Sequence, residues 1–257
     1  MSSRFTIDGS DALELELLGL CDRAREAILA IIPPRKIHAL VLGGAYGRGE
    51  GGVLKTETGD KPYNDLEFYI IHSGSDLFAE KLYGAKIHHV AEELTAIAGV
   101  EVEFKLLSIK KLQESQVTMF YYDLVAGHRQ VYGSESWLAG SDQHRSAHRI
   151  PLYEATRLLM NRCSGLLYSH EKLSRAEFTA ADADFVGRNL AKAKLALGDA
   201  FLAMRGQYHS SCRERHKRLR KLEAENALQH FESLVPLHSD GVEFKLHPVR
   251  STKSAEA

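Results

Sequence analysis

The pattern of apolar residues changes part-way along the chain, and this change limits the folds that the chain can adopt. In the first part, segments with helical spacing are separated by short apolar runs typical of strands, at 37–42, 65–71 and 100–106. After residue 149 strand patterns nearly vanish, and helical periodicity extends over 152–168, 182–205 and 212–234. The sequence therefore predicts an α/β part followed by a helical part.

The boundary between the two parts falls in the polar stretch 141–149. We expect an α/β domain over 1–145 and a helical bundle over 146–235, which together make an α+β protein. The remaining residues, 236–257, are polar apart from one short apolar run, and we expect them to form a partly disordered tail.

The composition argues against several classes of protein. The chain has 33 basic and 34 acidic residues and a formal net charge of −1, so its overall charge does not indicate a nucleic acid, a membrane or an acidic partner. The longest apolar runs are far shorter than the ~20 residues that cross a bilayer, and the first residues lack the apolar core of a signal peptide. The sequence thus predicts a cytoplasmic protein that does not bind membranes.

The three cysteines, Cys21, Cys163 and Cys212, do not suggest redox or metal chemistry. Their number is odd and no pair has the C-x-x-C spacing, which argues against a disulfide framework and a structural zinc site. Because free cysteine is usually a small buried hydrophobic residue, we expect all three thiols to pack between helices.

A glycine turn and a pair of acids occur close together in the α/β part. The first apolar run ends at Gly43-Gly44, a turn whose backbone can approach an anion closely where it leads into a helix. The stretch 49–63 is rich in glycine and charge, and we expect an exposed loop there. Asp65 and Glu67 follow it, and at positions i and i+2 of a strand they project from the same face.

A third acid from a later strand can join this pair. The run 100–106 alternates strictly, which places Glu101 and Glu103 on the face opposite its apolar residues. Either glutamate would complete a cup of three carboxylates, and hard oxygen ligands of this kind suit magnesium. Magnesium beside an anion-binding turn indicates phosphoryl or nucleotidyl transfer.

These residues resemble a known family. The sequence Gly-Gly-x-x-Gly-Arg-Gly-Glu at 43–50, followed by Asn-Asp-Leu-Glu at 64–67, is similar to the signature of the DNA polymerase β-type nucleotidyltransferase superfamily, in its minimal or antibiotic-type form. The resemblance covers 37–108. It implies a small mixed β-sheet with flanking helices that carries the acids, followed by an all-helical C-terminal domain.

The resemblance also implies roles for individual residues. Gly43, Gly44 and the backbone of Ala45 would cradle the β- and γ-phosphates of a nucleotide. The acids Asp65 and Glu67 would hold two magnesium ions, completed by a third acid, for which we prefer Glu103 with Glu101 as the substitute. The family usually has serine where this chain has Ala45, and the missing hydroxyl removes a hydrogen bond worth roughly 1.5–3 kcal/mol to a charged oxygen.

Several basic residues are candidates to bind the phosphates. Arg48 follows the turn and has two interpretations, a phosphate contact or an ion pair that braces the loop. Arg188 and Lys192 share a helix face four residues apart and can grip a triphosphate or form an exposed basic face. The basic stretch 213–221 is compatible with nucleic acid, but it lacks interleaved aromatic residues, which favours a solvated helix face.

The sequence thus predicts a magnesium-dependent nucleotidyltransferase. It would move a nucleoside monophosphate from a nucleoside triphosphate such as ATP to a hydroxyl-type acceptor on a small molecule, a protein or a nucleic acid. The alternative is a catalytically weak nucleotide-binding or regulatory module of the same fold that acts with a partner, and Ala45 favours this alternative. The sequence carries no code for the acceptor or for the oligomeric state.

Overall fold

The first unit of the chain is built on a small mixed sheet. The computed structural model describes residues 4–225, 231–251 and 254, and the chain divides into two compact units, 1–146 and 147–257. The elements of the first unit are α1 (Asp11–Ile31), β1 (Ile37–Leu42), α2 (Gly44–Gly47), β2 (Val53–Thr56), β3 (Gly59–Pro62), β4 (Leu66–His72), α3 (Asp76–Ala98), β5 (Val102–Ser108), α4 (Ile109–Glu114), α5 (Met119–Ala126) and β6 (Arg129–Gly133). Within the described residues, the main sheet has the strand order β5-β4-β1-β6, with β1 antiparallel to both of its neighbours and β4 parallel to β5.

One face of this sheet is covered by the long helices α1 and α3. The Ser10 hydroxyl caps α1 by accepting a hydrogen bond from the Leu13 N–H, and α3 ends at Gly99, whose φ of 68° suits glycine. The spacing of the apolar residues on both helices turns one stripe of each towards the sheet. The core between them contains Leu13, Leu17, Leu20, Ile28, Leu40, Leu42, Leu66, Phe68, Ile70, Ile87, Leu94 and Val102.

The opposite face carries a second, smaller core. It contains Ala39, Val41, Tyr69, Ile71, Leu107, Leu112, Leu124, Val125, Trp137 and Leu138. Because side chains alternate along a strand, the even-numbered residues of β4 pack towards α1 and α3, and Tyr69 and Ile71 pack on this other face. The strict alternation predicted around β5 is confirmed, since Val102 is buried in the first core and Phe104 and Leu106 pack against it.

The segment expected to be a loop contains a β-hairpin, so the prediction for 49–63 was wrong in part. Strands β2 and β3 pair antiparallel across a tight turn with Gly59 at a φ of 113°. Most of the hairpin is exposed, but Val53 and Pro62 are buried. The hairpin has little apolar alternation, and side chains from outside it hold its base.

The second unit consists of helices, as the loss of strand patterns predicted. Its long helices are α6 (Leu152–Leu173), α7 (Ala180–Met204), α8 (Cys212–Glu225) and α9 (Phe231–Leu246). The tail predicted from residue 236 is therefore helical as far as 246, and Pro236 lies inside α9. Residues 226–230, part of the last predicted helical segment, and the tail residues 252–253 and 255–257 lie outside the described residues.

The thiols of Cys21 and Cys212 are buried as predicted, but Cys163 on α6 is exposed and does not pack between helices. Among the residues that the structure describes, no helix combines the length and the apolar character needed to cross a membrane.

Candidate functional site

The glycine turn after β1 lies directly against the acids of β4. Gly44 begins the short helix α2 with a φ of 60°, and a Cβ atom there would lie 3.4 Å from the Glu67 carboxyl carbon. The Gly43 N–H donates to the Glu67 carbonyl oxygen at 2.8 Å, and a Cβ atom on Gly43 would lie 2.6 Å from Cε2 of the Tyr69 ring. Glycine at both positions thus allows the turn, Glu67 and Tyr69 to approach one another closely.

The hydrogen bond of Gly43 refines the phosphate cradle that the sequence suggested. Its N–H is engaged with Glu67, so this donor holds the turn to β4. The first N–H groups of a helix have no acceptor within that helix, and in α2 these include the N–H groups of Gly44 and Ala45. We therefore expect any phosphate at this turn to meet the backbone of Gly44 and Ala45.

Two residues of the signature hold the base of the hairpin. The buried Tyr46 hydroxyl donates to the Gly52 carbonyl at 2.9 Å and accepts from the Tyr63 N–H at 2.9 Å. Burial raises the pKa of Tyr46 to about 12, so the phenol keeps its proton at neutral pH. The Asn64 side-chain oxygen accepts from the Gly52 N–H at 2.8 Å. Tyr46 and Asn64, which the sequence analysis left without a role, thus join the hairpin to the turn.

The candidate acids share one face of the sheet. Glu67 pairs with Glu103 in the parallel register of β4 and β5, and both side chains are half-buried. Asp65 and Glu101 come just before these strands in the same alternation and are exposed. Glu103, the preferred third acid, therefore stands beside Glu67 on the neighbouring strand, and the Glu101 carbonyl accepts from the Leu66 N–H at 2.8 Å.

A lysine that the sequence analysis did not single out occupies the middle of this acidic group. Lys105 Nζ lies 2.6 Å from Glu103 Oε2, and its residue pairs with Tyr69 in the register. Burial lowers the pKa of Lys105, but the hydrogen bond to Glu103 and the charges of Glu67 and Asp65 outweigh it, so the pKa lies above its ordinary value. The carboxylates are therefore gathered around an ammonium group of the chain itself.

Tyr69 orients one of the acids. Its hydroxyl donates to Glu67 Oε2 at 2.9 Å, and Lys105 Nζ lies 5.7 Å from the centre of its ring. Burial raises the pKa of Tyr69, and the negative charge of Glu67 raises it further, so the hydroxyl stays protonated as a donor. Position i+2 from Glu67 on the same strand face is the sequence signal that could have identified Tyr69.

Arg48 lies in the same region with most of its side chain buried. Its Nη1 lies 3.9 Å from Asp123 Oδ2, and a Cβ atom on Gly127 would lie 2.5 Å from its Cγ. Its positive charge acts on the Tyr69 hydroxyl and partly offsets the rise in that pKa. Of the two interpretations of Arg48, the structure displays an ion pair, with Asp123 as the acid, while the predicted contact with a phosphate stays a prediction.

The donor set fits magnesium in its chemistry. Asp65, Glu67 and Glu103 offer carboxylate oxygens, the ligands that magnesium prefers, next to a turn where a Cβ atom would crowd Glu67. In the part of the chain that the structure describes, no three Asp, Glu, His or Cys side chains are arranged to hold a metal ion. The Lys105–Glu103 ion pair is one reason why the acids are not arranged around a metal position, because it directs Glu103 Oε2 towards an ammonium group.

An open groove of about 790 Å³ runs beside the edge strand β5. Its lining includes Glu101, Glu103 and Lys105 from the strand and Glu80 and Glu92 from α3. The groove thus reaches the third acid and its lysine from the side of the sheet edge, and it provides a space next to the acids in which a small molecule could lie.

The basic candidates of the helical unit have local partners. Arg188 Nε lies 3.0 Å from Asp184 Oδ2 on the same face of α7, and Lys192 is exposed on that helix. Within the basic stretch 213–221, Arg215 is buried and Arg218 donates to the Gln207 and Tyr208 carbonyls. These two arginines hold the helical unit together, and the roles of Arg188 and Lys192 towards a triphosphate stay predictions.

Asp199 on α7 is the centre of a buried network in the helical unit. Its Oδ1 accepts from Arg215 Nε at 2.6 Å and contacts His238 Nε2 at 3.0 Å. The imidazole of His216 stacks on His238 with 5.5 Å between ring centres. These contacts connect α7, α8 and α9, so the network serves the packing of the helices.

We compared the chain with protein family models and with curated proteins. No family model and no curated protein matches it.

Proposed function

We propose that the chain is a magnesium-dependent nucleotidyltransferase, which transfers a nucleoside monophosphate from a nucleoside triphosphate to a hydroxyl-type acceptor. The observation that carries this proposal is the close approach of the Gly43-Gly44 turn to Glu67, with Glu103 beside Glu67 in the register of β4 and β5. An anion-binding turn next to several carboxylates can hold a phosphate group and the metal ions that neutralise it during transfer.

The proposed reaction breaks a phosphoanhydride bond of the nucleoside triphosphate and forms a phosphoester bond to the acceptor. The acceptor oxygen forms a bond to the α-phosphorus while the bond from that phosphorus to the bridging oxygen breaks, and pyrophosphate leaves. Magnesium held by Asp65, Glu67 and Glu103 would supply the positive charge that neutralises the phosphate oxygens. The α-phosphate is the centre of this reaction, and acceptors on small molecules, proteins or nucleic acids are all compatible with it.

The residues of the chain contribute position and protons. The N–H groups of Gly44 and Ala45 would donate to phosphate oxygens. The Tyr69 hydroxyl holds Glu67 Oε2 in one orientation, so this carboxylate loses less rotational freedom on binding a ligand. Glu103 is the candidate to accept the proton of the attacking hydroxyl at a carboxylate oxygen.

The test is transfer of label from nucleoside triphosphates labelled at the α-phosphate, together with a binding measurement by calorimetry in the presence of magnesium. We expect the wild-type chain to bind at least one nucleotide and to transfer label, and Asp65→Asn to reduce transfer by about 10²–10³-fold. Glu26→Gln changes an acid on α1 that is 75% exposed and serves as the matched control, with transfer unchanged. Absence of nucleotide binding by the wild-type chain with magnesium would overturn the proposal.

A second candidate function is a nucleotide-binding or regulatory module that acts with a partner and has weak catalysis. The Lys105–Glu103 ion pair favours it, because an ammonium group occupies the place where a third carboxylate would meet a metal ion. Ala45 favours it as well, since this position lacks a side-chain donor for phosphate. Nucleotide binding without transfer to a panel of hydroxyl acceptors would favour this function over the first.

A further inference from the structure

The strand β5 forms one edge of the main sheet, and one of its sides has no neighbouring strand. It pairs with β4 at all seven of its positions, and this pairing has no shift in register. Its sequence, Val-Glu-Phe-Lys-Leu-Leu-Ser, has no proline, which is one of the residues that prevent edge strands from pairing further. At the other edge, the pairing of β6 with β1 shifts in register between Leu40 and Val41. The free side of Val102–Ser108, which we call the β5 edge, is therefore the more regular of the two edges.

The parallel pairing with β4 decides which backbone groups lie on the β5 edge. In such a pair, alternate residues direct their N–H and C=O groups towards the partner strand, and the residues between them direct theirs away. The Glu101 carbonyl accepts from the Leu66 N–H, so the odd-numbered residues face β4. The residues whose backbone groups face away from β4 are Val102, Phe104, Leu106 and Ser108.

The outward N–H groups are occupied at the ends of the β5 edge and free in its middle. Val102 N–H donates to the Thr95 hydroxyl at 2.9 Å, and Ser108 N–H donates to Asp76 Oδ1 at 2.6 Å. Between them, the other two outward N–H groups make no hydrogen bond within the part of the chain that the structure describes. They lie two residues apart, a distance of ~6.6 Å in an extended chain, which is the spacing at which a further strand presents its carbonyls. These two donors belong to Phe104 and Leu106.

The open groove beside β5 gives access to these donors. Its lining contains every residue from 101 to 106, together with Gly84, Ile87 and Ala91 of α3. Phe104 and Leu106 are half-buried, so part of each side chain faces the groove. An added strand would place every second side chain on this side of the sheet, where Ile87, Phe104 and Leu106 offer apolar contacts.

The charges of the groove favour a basic occupant. The charged or titratable residues of its lining are Glu80, His88, Glu92, Glu101, Glu103 and Lys105. Two of the four acids lie beside a basic residue of the lining, since Glu103 Oε2 is 2.6 Å from Lys105 and Glu92 Oε1 is 3.4 Å from His88. The other two acids make no ion pair among the residues that the structure describes. The groove therefore carries a negative charge that the chain does not balance.

We propose that the β5 edge binds an extended basic segment of another protein, which adds a fifth strand to the main sheet. The N–H groups of Phe104 and Leu106 donate to carbonyls of this segment. Its apolar side chains lie towards α3, and its basic side chains lie beside the unbalanced acids, Glu80 and Glu101. A second copy of this chain would bring the same acids against each other, which is unfavourable, so the partner is a different polypeptide.

The first test uses the heptapeptide Lys-Val-Lys-Val-Lys-Val-Lys, acetylated and amidated at its ends, in calorimetric titrations of the full chain. We expect this peptide to bind, and the same peptide with glutamate for lysine not to bind. Two further peptides carry N-methyl groups on all valine or on all lysine amides. Because alternate N–H groups point to opposite edges of a strand, one of these two peptides should bind at least about tenfold more weakly than the parent.

The second test changes the charge of the groove. Glu80→Lys/Glu101→Lys should weaken binding of the basic heptapeptide by at least about tenfold at low ionic strength. The matched control is Glu93→Lys, which changes a 62% exposed acid of α3 outside the groove and should bind as the wild-type chain does. Circular dichroism and chemical denaturation check that both variants are folded.

The third test is amide hydrogen exchange measured by NMR. In the free chain, the amides of Phe104 and Leu106 should exchange fast, while the amide of Lys105, which faces β4, should be protected. The basic heptapeptide should protect the first two amides. Protection of these amides in the free chain that is lost on dilution would overturn the proposal, because a second copy would then occupy the β5 edge. Absence of binding at about 1 mM basic heptapeptide, or equal affinity for the parent and both N-methylated peptides, would also overturn it.

Discussion

Each unit of the molecule holds carboxylates that contact basic side chains, and the two arrangements are built in opposite ways. In the α/β unit, Glu67 and Glu103 are half-buried, Asp65 is exposed, and Lys105 is the cation that all three carboxylates affect. In the helical unit, Asp199 is buried and meets both an arginine and a histidine. Where the negative charge of several carboxylates exceeds the positive charge beside them, they attract a further cation. A buried carboxylate that contacts enough basic groups to balance its charge instead connects the elements of the fold. The difference separates a candidate site for chemistry from a structural network.

The partners of Asp199 show how completely this buried charge is compensated. Arg215 also donates from Nη1 to the His209 and Ser210 carbonyls at 2.7 and 2.9 Å, so its guanidinium is held on both sides. Burial raises the pKa of Asp199, but Arg215 and His238 outweigh burial and the pKa lies below its ordinary value. The carboxylate therefore stabilises the folded state at neutral pH, and this contribution is lost as the pH falls below the ordinary aspartate range.

Removal of the buried acid should have the largest effect. Asp199→Ala leaves the Arg215 guanidinium buried without its anion, and we expect the free energy of unfolding to fall by about 3–5 kcal/mol. Chemical denaturation monitored by circular dichroism measures this. Glu67→Gln is the matched variant in the α/β unit, and because that side chain is half-exposed we expect a change below about 1 kcal/mol. Equal losses in the two variants would contradict the distinction between the acids of the α/β unit and Asp199.

A methyl group at the turn tests how tightly the candidate site is packed. Gly43→Ala places a Cβ atom 2.6 Å from the buried Tyr69 ring, and we expect a loss of about 1–3 kcal/mol in the free energy of unfolding. The control is Gly19→Ala in α1, where a Cβ atom meets no atom within 4 Å and removal of a helical glycine should stabilise the fold by about 0.5–1 kcal/mol. A fully stable Gly43→Ala variant would show that the Tyr69 ring can move away from the turn.

Replacing Lys105 by a neutral residue tests whether the acids of the α/β unit can bind a further cation. Lys105→Met removes the cation that pairs with Glu103, and we expect the affinity for magnesium or manganese without nucleotide to rise by about tenfold. Calorimetric titration with the metal alone measures this effect. The same titration on Lys110→Met, an exposed lysine of α4 that pairs with Glu114, should match the wild-type chain. An unchanged affinity in Lys105→Met would show that lysine and metal do not compete for Glu103.

The smallest expected effect is a pH dependence in the helical unit. Burial lowers the pKa of His216, and the neighbouring His238 lowers it further, so the folded state favours the neutral ring. The unfolded chain binds the proton more readily, and stability should therefore decrease as the pH falls from 7 through the ordinary histidine value of 6.5. Denaturation curves at a series of pH values should show a shallower decrease for His216→Gln. An identical slope in both proteins would assign the pH dependence to other groups.

The sequence predicted the regular parts of the fold because their signals are local. The strands β1, β4 and β5 overlap the apolar runs predicted at 37–42, 65–71 and 100–106, and the alternation of β5 assigned its two faces correctly. The hairpin β2–β3 escaped notice because Tyr46 and Asn64, which hold its base, lie outside it. The helix α9 was missed because proline usually ends a helix; here buried Val235, His238 and Val242 offset the hydrogen bond that Pro236 removes.

The candidate site was predictable in its residue types and only partly in its contacts. Spacing along β4 was enough to place Asp65 and Glu67 on one face. The pairing of Glu103 with Lys105 and the bond from Tyr69 to Glu67 depend on rotamers and on the register between strands, which no single segment encodes. Arg48 likewise found its acid, Asp123, on a helix far along the chain.

The parallel register of β4 and β5 means that the apolar core also keeps the acids in place. Glu67 and Glu103 alternate with Phe68 and Phe104, whose rings stack at 5.1 Å between centres. If either strand shifted by one residue, a glutamate would be buried in the apolar core and an aromatic ring would be exposed to water. Both changes are unfavourable, so the shifted sheet would be unstable. Substitutions that keep this core apolar therefore also keep the spacing of the carboxylates. This holds even where selection does not act on the contacts of the carboxylates themselves. The packing of the interior thus fixes the positions of the candidate acids.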